Sequence, residues 1–551
     1  MAMQDDLANS SDALAMNQTT AGLPDSQVSR TRWIWGCIAV IAFAAVAVAA
    51  QTRDLLNDRS TSNVVSILSG GVASVILSAM FYLWLRRRAS RVASLILLVI
   101  FVAPVALIRF RGFSGEMIPV LEYRFRHVAR VQESIATSSV SDVVAATSFP
   151  QFLGPNRDAN VQHRAFAVPS GNEEEMWRIA IGEGWGGFAI QGQYCVTLEQ
   201  RRERECVSCY RLSDGALAWI RENTSRHENS LGGVGPRSTP TIADDLVYTQ
   251  GATGLVQCLR LSTGETVWEK DLLELAGWSQ SESESAIAWG RAASPLIIES
   301  LCVIPFGRPT DREPPSDSLK GRSLVALDSR SGEVRWTAGE DQISFASPVL
   351  MTLDGQLQIV SVNEATVTGH RIQDGEVLWS HDWPGQSNGG ANCASALPVA
   401  GDAFLLGKGY GTGAAVYDVK QNSGQWSVHE RWASHRVLKT KFTHACVDGD
   451  VAYGISDGTL ECVRLTDGKK LWAQSRASRY GHGQTIRVGD CLVVQAEDGR
   501  VAFVAASPDS YQELSTIAAL SSKTWNVPAI AGEYLAVRND LEAVLYRLPS
   551  R

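Results

Sequence analysis

Strong positive charge is absent. The 551-residue chain carries 50 Lys and Arg against 58 Asp and Glu, a net charge of −8, and no long basic run follows residue 149. That balance excludes the electrostatic footprint of a nucleic-acid binder. Histidine is also sparse: nine are scattered without the spacing of a Ser/His/Asp constellation or a zinc cluster, and there is no Walker-type phosphate loop. Only one Cys-x-x-Cys occurs, Cys206 and Cys209, with no second pair to complete the four ligands of a structural zinc. On a strand, residues three apart point to opposite faces, so those two thiols do not converge on one metal.

Charge is missing altogether from three apolar runs, 33–50, 64–85 and 92–108, whose lengths bracket the ~20 residues needed to cross a bilayer. A polar stretch precedes the first run and two more runs follow it, which excludes a cleaved signal peptide. Arg30 and Arg32 precede the first run, and Arg86, Arg87, Arg88 and Arg91 crowd the second connection; Arg53 and Arg59 in the first connection are offset by Asp54 and Asp58. The positive-inside rule then predicts three transmembrane helices, with residues 1–32 a disordered cytoplasmic N-terminus and everything after 108 extracytoplasmic. In bacterial terms the chain belongs in the inner membrane with a periplasmic C-terminal domain. Between them, 109–148 reads as a stalk, partly helical because Leu121, Phe125, Val128 and Val131 recur at helical spacing.

What the chain has in quantity is a repeat. Cys462-Val-Arg-Leu-Thr-Asp-Gly468-Lys-Lys-Leu-Trp472 recurs as strand, turn glycine, then Trp four residues on. The glycines stand at 215, 264, 332, 375 and 468, steps of 49, 68, 43 and 93, so one degenerate copy is due before 468, and Ala415 to Trp432 fills it. An insertion at 307–322 lengthens the 68-residue step. A period in the forties, rich in β-branched and aromatic residues, predicts one four-stranded propeller blade per copy. Inner strands start near 186, 238, 293, 347, 394, 444, 484 and 527, giving an all-β domain of eight blades over 149–551, with seven as the fallback. The last unit has three strands, and 175–180 with Trp177 reads as the outer strand that completes it. Trp177, Trp219, Trp268, Trp336, Trp379 and Trp472 are expected to dock neighbouring blades. Cys209, Cys258 and Cys462 share one register position, six before the turn Gly, occupied elsewhere by Ala326 and Gly369; that position takes a small residue, which free cysteine is.

Copies such as Leu324-Val-Ala-Leu-Asp-Ser-Arg-Ser-Gly332-Glu-Val-Arg-Trp336 resemble the PQQ-like, quinoprotein-type propeller repeat, and the resemblance covers about 149–551. That family holds quinone-dependent alcohol dehydrogenases and a BamB-like, non-enzymatic branch of outer-membrane protein assembly. The enzymatic branch is characterised by adjacent disulfide-bonded cysteines over the quinone and a Ca²⁺ held by Glu, Asn and a catalytic Asp; no two cysteines are adjacent here. The resemblance therefore implies a membrane-anchored, non-catalytic binding or scaffold module for envelope assembly, with no cofactor expected. The alternative it implies is a membrane-bound dehydrogenase of alcohols or sugars using PQQ with Ca²⁺.

The segments joining each outer strand to the next inner strand open on one face, around the central channel. Arg237, Arg291, Lys439, Lys441, His482 and Lys523 fall on five of them, interleaved with Trp289, Tyr480 and Trp525. This local excess of cations points either to a site for a protein partner or an anionic ligand such as an acidic peptide, since a narrow channel mouth focuses field, or to local pairing of the cations with blade carboxylates while the aromatics plug the channel.

Overall fold

A strand with apolar residues on both faces is stable only when both faces are covered, and stacking blades round a ring covers all of them at once. That is how the repeats fold in the computed structural model, which describes residues 25–52, 58–86, 99, 106–125, 131, 143–387 and 389–551. Eight antiparallel sheets follow one another. Blade 1 runs Ala189–Gln191, Tyr194–Arg201, Arg204–Arg211 and Leu217–Thr224, and blades 2 to 7 repeat the order. In blade 8 the strands Ala529–Ala531, Tyr534–Arg538 and Glu542–Arg547 take Glu174–Ala180 as their outer strand, so both ends of the domain share one sheet. Blade 7 gains a fifth, parallel strand, Asn160–Val161. The degenerate copy is blade 5, whose outer hairpin pairs Gly413–Asn422 with Gln425–Ser434.

The joints between blades follow one rule. Trp177 Nε1 donates to Leu212 O, Trp219 to Leu261 O, Trp268 to Ser329 O, Trp336 to Ile372 O and Trp432 to Leu465 O, each acceptor three residues before the turn glycine of the next blade. Each indole lies on that glycine: a Cβ at Gly215, Gly264, Gly332, Gly375 or Gly468 would come within 2.5–2.7 Å of the ring. These glycines also have φ between 68° and 75°, so hydrogen is required there twice over. Trp472 keeps the hydrogen bond, to Ser507 O. Trp379 departs, donating within its own blade to Gln358 Oε1 and stacking on Phe404 at 5.4 Å, because the longer outer hairpin of blade 5 carries its turn glycine, Gly424, clear of any side chain.

The chain forms two compact units, residues 1–53 with 65–103, and 54–64 with 104–551. In the first lie most of two helices long and apolar enough to cross a membrane, α1 (Asp25–Thr52) and α2 (Arg59–Arg86). Ile34, Trp35, Ile41, Leu68, Val75 and Tyr82 are exposed on them, as a lipid-facing surface requires. Three expectations are corrected or fall elsewhere. Residues 25–32, expected as part of a disordered N-terminus, stand within α1 as an extension of about two turns ahead of the apolar run, since lengthening a helix costs little once that run has formed it. The third run, 92–108, lies outside the described residues except for Val99 and 106–108, and Ile108 opens a strand. The stalk is no helix in its described part: Ile108–Phe113 pairs with Pro119–Tyr123 in a hairpin, bulged between Phe110 and Phe113 where Gly112 takes φ 103°. Leu121 lies in this hairpin and Phe125 just after it, while Val128 lies outside the described residues.

The glycine rule predicts that Gly264→Ala in the full-length, detergent-solubilised protein loses about 2–4 kcal/mol of stability, from left-handed backbone cost plus overpacking against Trp219. Gly192→Ala, at φ 59° with nothing within 4 Å, should lose only the backbone part. Equal shifts in urea midpoint for the two would remove the indole contact from the account.

Candidate functional site at the channel mouth

Two pieces of chain outside the ring enter this face: residues 58–64, where α2 begins, and the hairpin turn 114–117. Asn63 Nδ2 donates to Glu116 O at 2.7 Å, and Ser60 Oγ to Gly115 O at 3.2 Å, so the two pieces hold each other. The ring grips both. Lys441, 3% exposed, reaches Ser60 Oγ, donates to Gly115 O at 3.3 Å and lies 3.8 Å from the Asp58 carboxylate, with its ammonium 5.2 Å from the Tyr410 ring centre. Lys523 donates to Phe113 O at 3.1 Å while packing over Trp525 at 3.9 Å and Trp185 at 4.9 Å. Burial, against the pull of Asp540 and Glu497, brings its ammonium down to about 8.

Glu497 is the hub. Its Oε1 accepts from Gly115 N at 2.5 Å and from Trp525 Nε1 at 2.7 Å, and its Oε2 from the His482 backbone N–H at 3.0 Å. On the other side of the turn Glu116 faces Arg479 at 3.4 Å and Arg476 at 3.6 Å. Burial raises the Glu116 carboxyl more than the two arginines lower it. Gly115 leaves no room for a side chain, since its Cβ would stand 2.5 Å from the His482 ring.

The expected site residues thus separate. Arg237, Trp289, Lys441 and Trp525 line one cavity of about 520 Å³, together with Trp185, Phe345, Tyr410 and Phe442. Lys523 and His482 stand at its edge, His482 fully buried beside Phe442 with ring centres 5.4 Å apart. Three others turn away. Lys439 pairs with Asp457 at 3.1 Å. Arg291 donates to the carbonyls of Pro305 and Phe306 and fastens the connection between blades 2 and 3. Tyr480 donates to Glu513 at 2.5 Å and joins Tyr511 at 2.8 Å, between blades 6 and 7. Sequence reasoning missed Trp185, Tyr410, Phe442 and Glu497. It also missed that the carboxylates facing the cations, Asp58 and Glu116, come from the chain's own membrane-proximal segments.

Comparison with protein families matches residues 158–308 and 203–474 to the family described as outer membrane protein assembly factor BamB. The chain belongs to this family. Among curated relatives, BamB of Yersinia pestis is 21% identical over 57% of this chain and 70% of its own length, and BamB of Shewanella oneidensis 24% identical over 58% and 75%. Among solved structures, BamB from Moraxella catarrhalis covers 68% of this chain and all of its own at 16% identity and a TM-score of 0.46. A europium-containing methanol dehydrogenase covers 72% and 90% at 11% identity and a TM-score of 0.40. The BamB-family match takes in blades 1 to 6 and leaves residues 1–157 unmatched, so the segments that fill the channel mouth lie outside it.

Burial also fixes a pH response in this BamB-family ring. His370 and His444 are buried and held neutral, burial bringing each down to about 4 from the ordinary 6.5; His370 lies within hydrogen-bonding distance of Thr368 and Gly375, and Ser395 N–H donates to His444 Nε2 at 3.1 Å. A base with a lowered folded pKa leaves the unfolded chain binding more protons, so stability is full above pH 6.5 and drains as pH falls toward about 4. Each should account for on the order of 2–3 kcal/mol. Urea unfolding at pH 7 and pH 4.5 checks this, and His370→Asn should flatten the difference by one such step; an unchanged slope would show that His370 titrates normally.

Proposed function

We propose that this protein is a non-catalytic, membrane-tethered propeller that serves as a scaffold for protein partners in envelope assembly. The observation that carries the reading is the filled channel mouth. The cations that would attract an acidic peptide or substrate already hold the chain's own acidic turn, Asp58 and Ser60 on Lys441, Glu116 near Arg476 and Arg479. A catalytic site at this mouth would need those cations free for a substrate, and here they are engaged by the anchor.

The alternative, a PQQ and Ca²⁺ dehydrogenase, finds little to stand on in these residues. Of the residues lining the cavity only Asp58 is a carboxylate, and it sits beside Lys441. No two cysteines are adjacent in the sequence. Among the described residues no three His, Cys, Asp or Glu side chains come together as metal ligands. A hard divalent cation wants six or more oxygen ligands, several of them anionic.

The same contacts support the three-span arrangement, with the N-terminus cytoplasmic and the propeller extracytoplasmic. Asp58, Ser60 and Asn63 engage the propeller unit, so the connection between the first and second spans stands on the propeller's side. A chain that leaves along α2 and returns by Ile108 must then cross twice, and the apolar run 92–108 is where the second crossing belongs.

Two measurements test this reading. With a membrane-impermeant maleimide on intact spheroplasts, Asp54→Cys and Ser510→Cys should label, and Ala89→Cys should label only after lysis. Labelling of Ala89→Cys alongside Ser510→Cys would reject the third crossing. Titrating the full-length protein with PQQ and Ca²⁺ should give no saturable heat, whereas in-cell crosslinking should capture envelope proteins. Binding near one equivalent would reverse the choice in favour of the dehydrogenase.

A further inference from the structure

The chain's own segments fill the rim of the mouth but not the space beneath. That cavity, about 520 Å³, is within the ~300–1,000 Å³ range of small-molecule sites. Its wall is mostly aromatic and aliphatic: Trp185, Trp289, Phe345, Phe442 and Trp525, with Val64 in the roof. Trp289 packs on Phe345 at 5.3 Å, Trp185 on Trp525 at 4.8 Å and Phe442 on Trp525 at 5.0 Å, so most of the rings brace one another and need no ligand to hold their shape.

One charge in this wall lacks a counter-charge. Arg237 donates to two backbone carbonyls, Gly235 O at 2.9 Å and Gly232 O at 2.8 Å, and among the described residues no carboxylate lies within ion-pairing distance. The other cations nearby are answered: Lys441 by Asp58, and Lys523 by the pull of Asp540 and Glu497. A half-buried guanidinium left with carbonyls alone retains donors suited to an oxyanion. Burial also brings Arg237 down to about 10.

We propose that this cavity binds a single-chain anionic amphiphile, a fatty carboxylate, with the head on Arg237 and the chain among the rings of Trp185, Trp289, Phe345, Phe442 and Trp525. Supply is local, because Val64 in the roof belongs to the apolar run taken as the second span. The inference uses that membrane placement but not the scaffold role, so either can fail without the other.

The probe is 9,10-dibromostearate, whose bromines quench nearby indoles; three of the sixteen tryptophans, at 185, 289 and 525, line the cavity. Full-length protein in a nonionic detergent should show saturable, partial quenching. Arg237→Gln should weaken it about tenfold, the loss expected for one charge-assisted head contact. The brominated methyl ester, which has no charge, should bind the wild type and Arg237→Gln alike. Ala292→Phe, which fills the wall and leaves Arg237 in place, should abolish quenching by both probes. Its thermal midpoint reports folding, and should it unfold, the Arg237→Gln and ester arms still decide. No saturable quenching of the wild type, or quenching by the carboxylate that Arg237→Gln leaves unchanged, would overturn the proposal. Neither result bears on which proteins crosslink to the propeller.

Discussion

Ring closure is the constraint on which the rest depends. Glu174–Ala180 pairs with Glu542–Arg547, and without that pairing the last blade would present an open edge while the first lost its neighbour. Arg178 fastens the seam, reaching across it to Glu542 at 2.8 Å while Glu175 on its own strand steadies it at 2.7 Å. Trp177 on the closing strand makes the same joint to blade 1 that Trp219 makes to blade 2, so the seam is built like every other interface. In a ring of nearest-neighbour contacts each joint matters about equally, which is why the Gly and Trp pair recurs while the rest of the repeat drifts. Blade 5 shows the tolerance: Trp379 finds Gln358 and Phe404 in place of a glycine turn, and Trp432 resumes the rule at the next interface.

Closing the ring creates a channel, and the channel creates an electrostatic problem. Connections from different blades bring cations to one mouth, and a low-dielectric wall makes each unpaired charge costly. The ring solves this with carboxylates from outside it. Asp58 and Glu116 arrive on segments that precede the propeller, and Glu497 gathers three N–H donors from the turn, from the His482 backbone and from Trp525. The hairpin is therefore a lid by electrostatics as much as by shape, with Gly115 admitted because any side chain there would strike His482.

The sequence made the fold legible wherever a joint demanded a particular residue type. Glycine under indole is such a demand, and it revealed the repeat, the degenerate copy and the orphan outer strand, while the blade count came from the eight inner-strand starts. Helical spacing of Leu121 and Phe125 carried no such demand. It misled because Gly112 and the turn at Ser114 and Gly115, with Met117 at φ 60°, were the stronger signals and describe a hairpin. The two short helices between blades 2 and 3, Leu272–Ala276 and Gln280–Ala286, were also readable: Asp271 caps the first, and Ser279 with Glu282 forms a capping box on the second. The cations could be placed at the mouth from blade register, but their partners could not. Which of Arg237, Arg291 and Lys439 faces the channel depends on side-chain direction at loop positions that no periodicity governs.

Membership of the BamB family goes with the ring and leaves the channel's lining to this chain's own residues. A propeller keeps its fold through joints at the blade edges, so the channel is free to change chemistry without cost to the ring. Here the cavity beneath the mouth is lined mostly by rings, with the Arg237 guanidinium among them. Trp185, Trp525 and Phe442 interlock within 5.0 Å of one another in pairs, and their packing depends on Lys523 lying flat over two of them. Lys523 in turn is placed by the carbonyl of Phe113, the last residue of the first strand of the hairpin that it holds. The wall of the cavity and the latch on its lid are thus one set of contacts: a change that loosens the hairpin must also reshape the space beneath it.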